Sequence, residues 1–154
     1  MAVISKTYGK ILAVLLAWLG YSCTIFNPAE EYGTPSATFK AKGTVISQEN
    51  DVPIEGIRAV LKVPWDSTNE HFYGIDTVYT DSKGTFYLKS QKHEFAYKKL
   101  YVELTDVDDE KNGSFTDMDV VADYSDEKFK GGSGNWYRGE VEKDLGIIKL
   151  ESKK

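Results

Sequence analysis

The chain has 154 residues, a formal net charge of −5 and a single cysteine, with 41% of its residues hydrophobic and 28% charged. That length suits one domain with its own core and is too short for two. The acidic balance excludes a nucleic-acid partner held by phosphate neutralisation, and one cysteine excludes both an intrachain disulfide and an all-cysteine metal centre.

Residues 1–22 differ in kind from the rest. Lys6 and Lys10 make a positive start, Ile11 to Leu19 is an unbroken apolar run, and Gly20, Tyr21 and Ser22 lead to Cys23. This is the order of a secretory signal, and the apolar run is about half of what a membrane-spanning helix needs. With the lone cysteine at its end, the segment resembles that of a bacterial lipoprotein precursor, with Leu19 one place earlier than that family's leucine and Gly20 in its position. The resemblance implies cleavage before Cys23, acyl chains on that cysteine, and an exported lipoprotein with the outer membrane as its expected site. Two or more acyl chains anchor stably where one does not. The alternative is a free cysteine behind an ordinary cleaved signal. Removing residues 1–22 takes away two lysines and no acid, so the charge moves from −5 to −7, and anchoring then rests on lipid rather than on basic residues. Residues 24–34, with a proline, a glycine and an acidic pair, read as a tether; the lipidated N-terminus and tether together cover 23–35.

From Ser36 to Glu151 the sequence reads as all-β. Expected strands are Thr38 to Ser47, Ile57 to Val63, Thr77 to Thr80, Thr85 to Ser90, Lys99 to Thr105, Asp117 to Ala122 and Leu145 to Glu151. Ala59, Leu61 and Val63 alternate onto one face, as do Phe86 and Leu88, and Leu100, Val102 and Leu104. Seven short strands point to a sandwich. Pro53 to Gly56 supplies a reversal, and Asp81 to Phe86 predicts a tight hairpin with Asp81 accepting from nearby N–H groups.

These turns, with Gly43-Thr44-Val45, Pro53-Ile54-Glu55-Gly56-Ile57 and Thr80-Asp81-x-x-Gly84-Thr85-Phe86, resemble the regulatory-domain repeat of carboxypeptidases, which implies a transthyretin-like seven-stranded sandwich. A longer resemblance takes in Tyr32-Gly33-Thr34-Pro35 and an Asp-x-Asp stretch reaching Asn112-Gly113-x-Phe115. It is similar to the radical-SAM-associated lipoproteins of the Bacteroidetes and implies an envelope lipoprotein that accompanies a radical enzyme. That family often has a second cysteine just before its Tyr-Gly-Thr-Pro motif, where this chain has Glu31.

Two features carry candidate chemistry. Glu103 to Glu127 holds ten acidic residues against one lysine, and such density calls for screening by solvent or a cation. Asp106, Asp108 and Asn112, with Asp117 closing, have the oxygen chemistry of a loose Ca²⁺ site. The spacing is not that of an EF-hand, and the competing reading is a solvated acidic loop. The second feature is aromatic: Trp65, Phe72, Tyr73, Trp136 and Tyr137 fall in loop-like segments, where rings stack on sugars or bury in a partner; the alternative is that they cover strand edges. Trp65, Tyr73, Trp136 and Tyr137 form the candidate ligand set, for an envelope protein or a glycan. Residues 130–135 read as a flexible glycine-rich loop without a phosphate-binding signature. His71 and His93 belong to no catalytic or zinc motif, and His93 reads as a solvated turn residue. The expectation is a non-enzymatic, membrane-anchored binding or accessory module; the alternatives are a domain that presents a substrate to the radical enzyme and a glycan-binding surface domain.

Overall fold

The computed structural model describes residues 34–65, 71–91, 93–94, 98–108, 112–133 and 136–153, with Lys10, Val14 and Leu15. Cys23 and residues 24–33, Asp109 and Glu110 lie outside the described residues. The chain divides into two compact units, Met1–Gly33 and Thr34–Lys154. In the first, Lys10, Val14 and Leu15 have helical backbone.

The second unit is an all-β sandwich, the class its alternating runs predict. Among the described residues nine strands form: β1 Ser36–Ser47, β2 Arg58–Pro64, β3 Phe72–Tyr79, β4 Thr85–Lys89, β5 His93–Glu94, β6 Lys99–Thr105, β7 Met118–Asp123, β8 Lys130–Ser133 and β9 Tyr137–Leu150. One sheet has the order β4-β1-β9-β8, with β5 pairing the start of β1; the other has the order β3-β2-β6-β7. The strands β5 and β8 go beyond the seven expected. His93, read from sequence as a turn residue, pairs with Ala37. Residues 130–133, expected in a loop, are a hairpin arm because their backbone pairs with β9 despite having little side chain to signal it.

Period-2 alternation builds the core. Ala59, Leu61 and Val63 of β2 and Leu100, Val102 and Leu104 of β6 face Phe39, Ala41 and Val45 of β1, Leu88 of β4 and Val141 and Ile148 of β9, and all are buried. Each fully buried leucine contributes about 2 kcal/mol. The outward faces are charged. On β1 and β9, Lys40 pairs with Glu140, and Lys42 reaches Glu142 at 2.7 Å and Asp144 at 3.8 Å. The hydrogen bond from Lys40 holds the Glu140 carboxyl below its ordinary range, and the same bond raises Lys40. These exposed pairs set register more than stability.

The pairing of β1 with β9 is parallel, from Ser36↔Tyr137 to Ser47↔Leu150. The register shifts twice, between Ser36 and Thr38 and between Lys42 and Thr44. At each shift β9 accommodates an extra residue beside a glycine of positive φ, Gly139 at 102° and Gly146 at 66°. Such bulges bend a strand without ending it.

The Asp81 turn corrects the hairpin expectation. Asp81 Oδ1 accepts from the N–H of Lys83 and of Thr85, each at 2.9 Å, and Oδ2 accepts from the Thr85 hydroxyl at 2.7 Å. These bonds hold its carboxyl below the ordinary carboxylate value. The turn forms, but β3 and β4 belong to different sheets. The chain changes sheet here because Thr80 is tied to the 54–57 turn, its hydroxyl donating to the Ile54 carbonyl at 2.7 Å and accepting from Ile57 N–H at 3.0 Å. The exposed edges of β3 and β4 are joined by a side chain instead: Asp76 accepts from Lys89 N–H at 2.7 Å.

Cross-sheet contacts fix which strand ends coincide. Tyr124, just after β7, donates its N–H to the Lys98 carbonyl (2.8 Å) beside the start of β6. Its ring meets Phe39 of β1 edge-on at 5.2 Å and its hydroxyl donates to the Lys40 carbonyl at 3.0 Å. Burial pushes that hydroxyl far above its ordinary pKa. The start of β1 therefore shares an end with Pro64, Phe72, Lys99 and Asp123. At the opposite end, Val45 N–H donates to the Gly84 carbonyl at 2.8 Å and Ile54 N–H to the Val45 carbonyl at 3.0 Å, next to Arg58, Tyr79 and Thr105. The two are called the Ser36 end and the Thr105 end.

The bulge glycines give a paired test. At Gly139 an added Cβ would sit 2.1 Å from the Lys130 carbonyl oxygen, whereas at Gly146 it would meet nothing within 4 Å. Gly146→Ala is expected to cost about 1–2 kcal/mol of left-handed strain, and Gly139→Ala that strain plus displacement of β8, roughly 3 kcal/mol or more. Urea denaturation of the two variants checks the order; equal losses would contradict the β8–β9 register.

Candidate functional site

The acidic segment folds onto the Thr105 end, and its first residue is consumed by backbone. Asp106 is buried, with Oδ2 accepting from Phe115 N–H at 2.8 Å and Oδ1 from Asp108 N–H at 3.3 Å. Asn112 donates through one amide nitrogen to the Glu55 carbonyl at 3.1 Å and to Asp108 Oδ2 at 3.2 Å. Two acceptors on the same atom fix the amide orientation, so Asn112 presents a donor, not a cation-binding oxygen, to Asp108. A Cβ at Gly56 would lie 2.8 Å from Asp108 Oδ2, which shows how closely the 54–57 turn packs on this loop.

Asp117 stands apart from these three. It is exposed, with the Lys153 ammonium 3.9 Å away. Thr116 N–H donates to the Glu151 carbonyl and Lys153 N–H to the Ser114 carbonyl, both at 2.8 Å, so the C-terminal residues fasten the loop's far side. The structure thus brings together Asp106, Asp108 and Asn112 and leaves Asp117 outside. Among the described residues, no group of three or more His, Cys, Asp and Glu side chains is placed to hold a metal ion.

The aromatic set gathers at the Ser36 end. The β2–β3 connection carries Trp65, 71% exposed, whose ring meets Tyr73 edge-on at 5.5 Å. Phe72 meets Tyr101 of β6 edge-on at 4.8 Å. Alternation places the two pairs on opposite faces of the β2–β3 ribbon, Phe72 and Tyr101 on the outer one with Lys62. In the other sheet, Trp136 lies in the β8–β9 turn, and its carbonyl accepts from Ser36 N–H at 2.7 Å. Tyr137 opens β9, its hydroxyl 3.0 Å from that of the buried Thr38.

All four residues of the candidate ligand set therefore lie at one end, on two separate hairpin tips. Phe72, Tyr73 and Tyr137 are strand residues where loops were expected, because the β2–β3 and β8–β9 hairpins are longer than their turn signals suggested. Tyr101 was missed by the sequence reading. Its signal was the outward phase of β6, between Leu100 and Val102.

A groove of about 1010 Å³ beside Tyr137 is lined by Lys40, Asp126, Glu127, Lys130 and Glu142 among others. Asp123, the last residue of β7, carries a carboxyl below the ordinary value, held there by Ser125 and by Lys99 at 3.4 Å. Among the described residues no helix is long and apolar enough to cross a membrane.

The sequence matches no family model and no curated protein. Its structure is similar to part of the 9R-lipoxygenase from Cyanothece PCC8801, at 16% identity over 71% of this chain and 16% of that one, with a TM-score of 0.42. It is also similar to the group B streptococcus pilus 2b backbone protein, at 11% identity over 75% of this chain and 41% of that one (TM-score 0.40). A third likeness is the major plantain pollen allergen Pla l 1, at 15% identity over 76% and 95% of the two chains (TM-score 0.44). At these scores the fold rests on the strand pairing itself.

Asp106 and Asp117 separate a structural carboxylate from a solvated one. In chelator, Asp106→Ala leaves the Phe115 N–H without its acceptor and is expected to cost about 2–3 kcal/mol. Asp117→Ala is expected to change stability by less than about 0.5 kcal/mol. Urea denaturation measures both, and an Asp106→Ala protein as stable as the parent would refute the loop-closing role.

Proposed function

We propose that the chain is an exported lipoprotein, anchored through Cys23, whose sandwich serves as a non-enzymatic binding or accessory module at the bacterial envelope. One observation carries the reading: an apolar, basic-headed segment ends in the chain's single cysteine, and the compact sandwich unit begins eleven residues later at Thr34. A tether of that length keeps the domain within reach of the surface its acyl chains occupy.

The sandwich supplies two unlike ends for such work. The Ser36 end, which receives the tether, is aromatic; the Thr105 end, with Asp51, Asp81, Asp106 and Asp108, is acidic and closed by backbone hydrogen bonds. A rigid, acidic outer end suits recognition of a cationic or polar protein surface. The resemblance to lipoproteins that accompany radical enzymes supports the accessory role. Its Asn112-Gly113-x-Phe115 motif falls in the loop that closes this end, where Asn112 and Phe115 make the bonds described above.

The anchor is tested by fatty-acid labelling in a bacterial host. The parent protein is expected to take up label and sediment with membranes, and Cys23→Ser to lose both. A Cys23→Ser protein that still takes up label would sink the reading.

A further inference from the structure

We propose that the Ser36 end is a second membrane contact, with Trp65, Phe72, Tyr73 and Trp136 entering the interfacial layer of the same bilayer that holds the acyl chains. The proposal rests on the anchoring at Cys23 and adds to it an orientation for the folded domain.

Three observations converge. The first is placement: the tether joins the sandwich at Ser36, whose N–H is bonded to the Trp136 carbonyl, so one tryptophan tip lies directly beside the junction. The β2–β3 tip with Trp65 lies at the same end of the facing sheet, as the Tyr124 contacts fix. The second is exposure: Trp65 is 71% exposed, and Phe72, Tyr73 and Trp136 are each between 36% and 39% exposed. Such rings, with an apolar body and, in Trp and Tyr, a polar handle, favour the headgroup boundary over either bulk water or hydrocarbon.

The third is reach and charge. Eleven residues span at most about 40 Å, so the tips face the bilayer at a high effective concentration and even weak insertion is realised. Exposed lysines at this end, Lys98, Lys128 and Lys130, suit an anionic headgroup layer. Several acids near them are ion-paired, Asp123 with Lys99, Glu127 with Lys143 at 3.0 Å, and Glu140 with Lys40 and Lys89, while Asp126 is exposed. The carboxylates of Asp81 and Asp108 are at the other end, away from that layer.

The mature chain makes the test direct. Trp18 leaves with the signal, so Trp65 and Trp136 are its only tryptophans and their emission reports on this end alone. Purified lipidated protein is reconstituted in vesicles of phosphatidylethanolamine and phosphatidylglycerol, with and without lipid brominated close to the headgroup, and its acylation is read by mass. The expected result is a loss of roughly half or more of the emission in brominated vesicles, retained in both Trp65→Phe and Trp136→Phe. Acylated protein whose emission is untouched by bromolipid overturns this proposal alone. Absence of acyl mass on Cys23 overturns the anchoring reading and this proposal with it. Emission that responds to soluble envelope glycan fragments but not to bromolipid assigns the end to a glycan and also overturns it.

Discussion

The parallel pairing of β1 with β9 is the constraint on which the rest of the domain depends. The first strand of the sandwich is not an edge: it lies between β4 and β9, with its inward side chains Phe39, Ala41 and Val45 in the centre of the core. A first strand in that position cannot be peeled away without opening both of its ladders. The cost of parallel closure is borne by β9, which meets β1 along its length only by bulging at Gly139 and Gly146. The same pairing delivers the β8–β9 turn, and with it Trp136, to the start of β1.

A second consequence is the polarity of the sandwich. Hairpin tips rich in aromatic rings collect at the Ser36 end. The Thr105 end is built from turns whose acidic side chains accept backbone N–H groups, Asp106 from Phe115 and Asp108, Asp81 from Lys83 and Thr85. Carboxylates spent in this way are structural: each holds its turn by accepting backbone N–H groups. The two ends therefore differ in chemistry, one aromatic and the other acidic.

Much of the fold was legible in the sequence because burial on one face imposes a period of two. Ala59-Leu61-Val63 and Leu100-Val102-Leu104 announced their strands without ambiguity. What was hidden had no side-chain period to show. The arm Lys130–Ser133 is half glycine, β5 has two residues, and the glycine bulges of β9 break its alternation so that only its last part, from Leu145, stood out. The site was legible by residue type and illegible by geometry. Trp65, Tyr73, Trp136 and Tyr137 were visible as exposed aromatics, but their gathering at one end follows from long-range pairing that no local pattern encodes. Likewise the acidic run was plain, while the burial of Asp106 depends on the returning Phe115.

The central proposal is that the domain has a membrane-facing end and an outward end. Hydrogen exchange of the lipidated protein in bilayer vesicles, compared with the same protein in detergent, tests it most directly. The account predicts slower exchange in the bilayer around Trp65, Phe72 and Trp136, with no change around Asp106 to Phe115. Protection confined to the acidic loop, or no difference at either end, would contradict it.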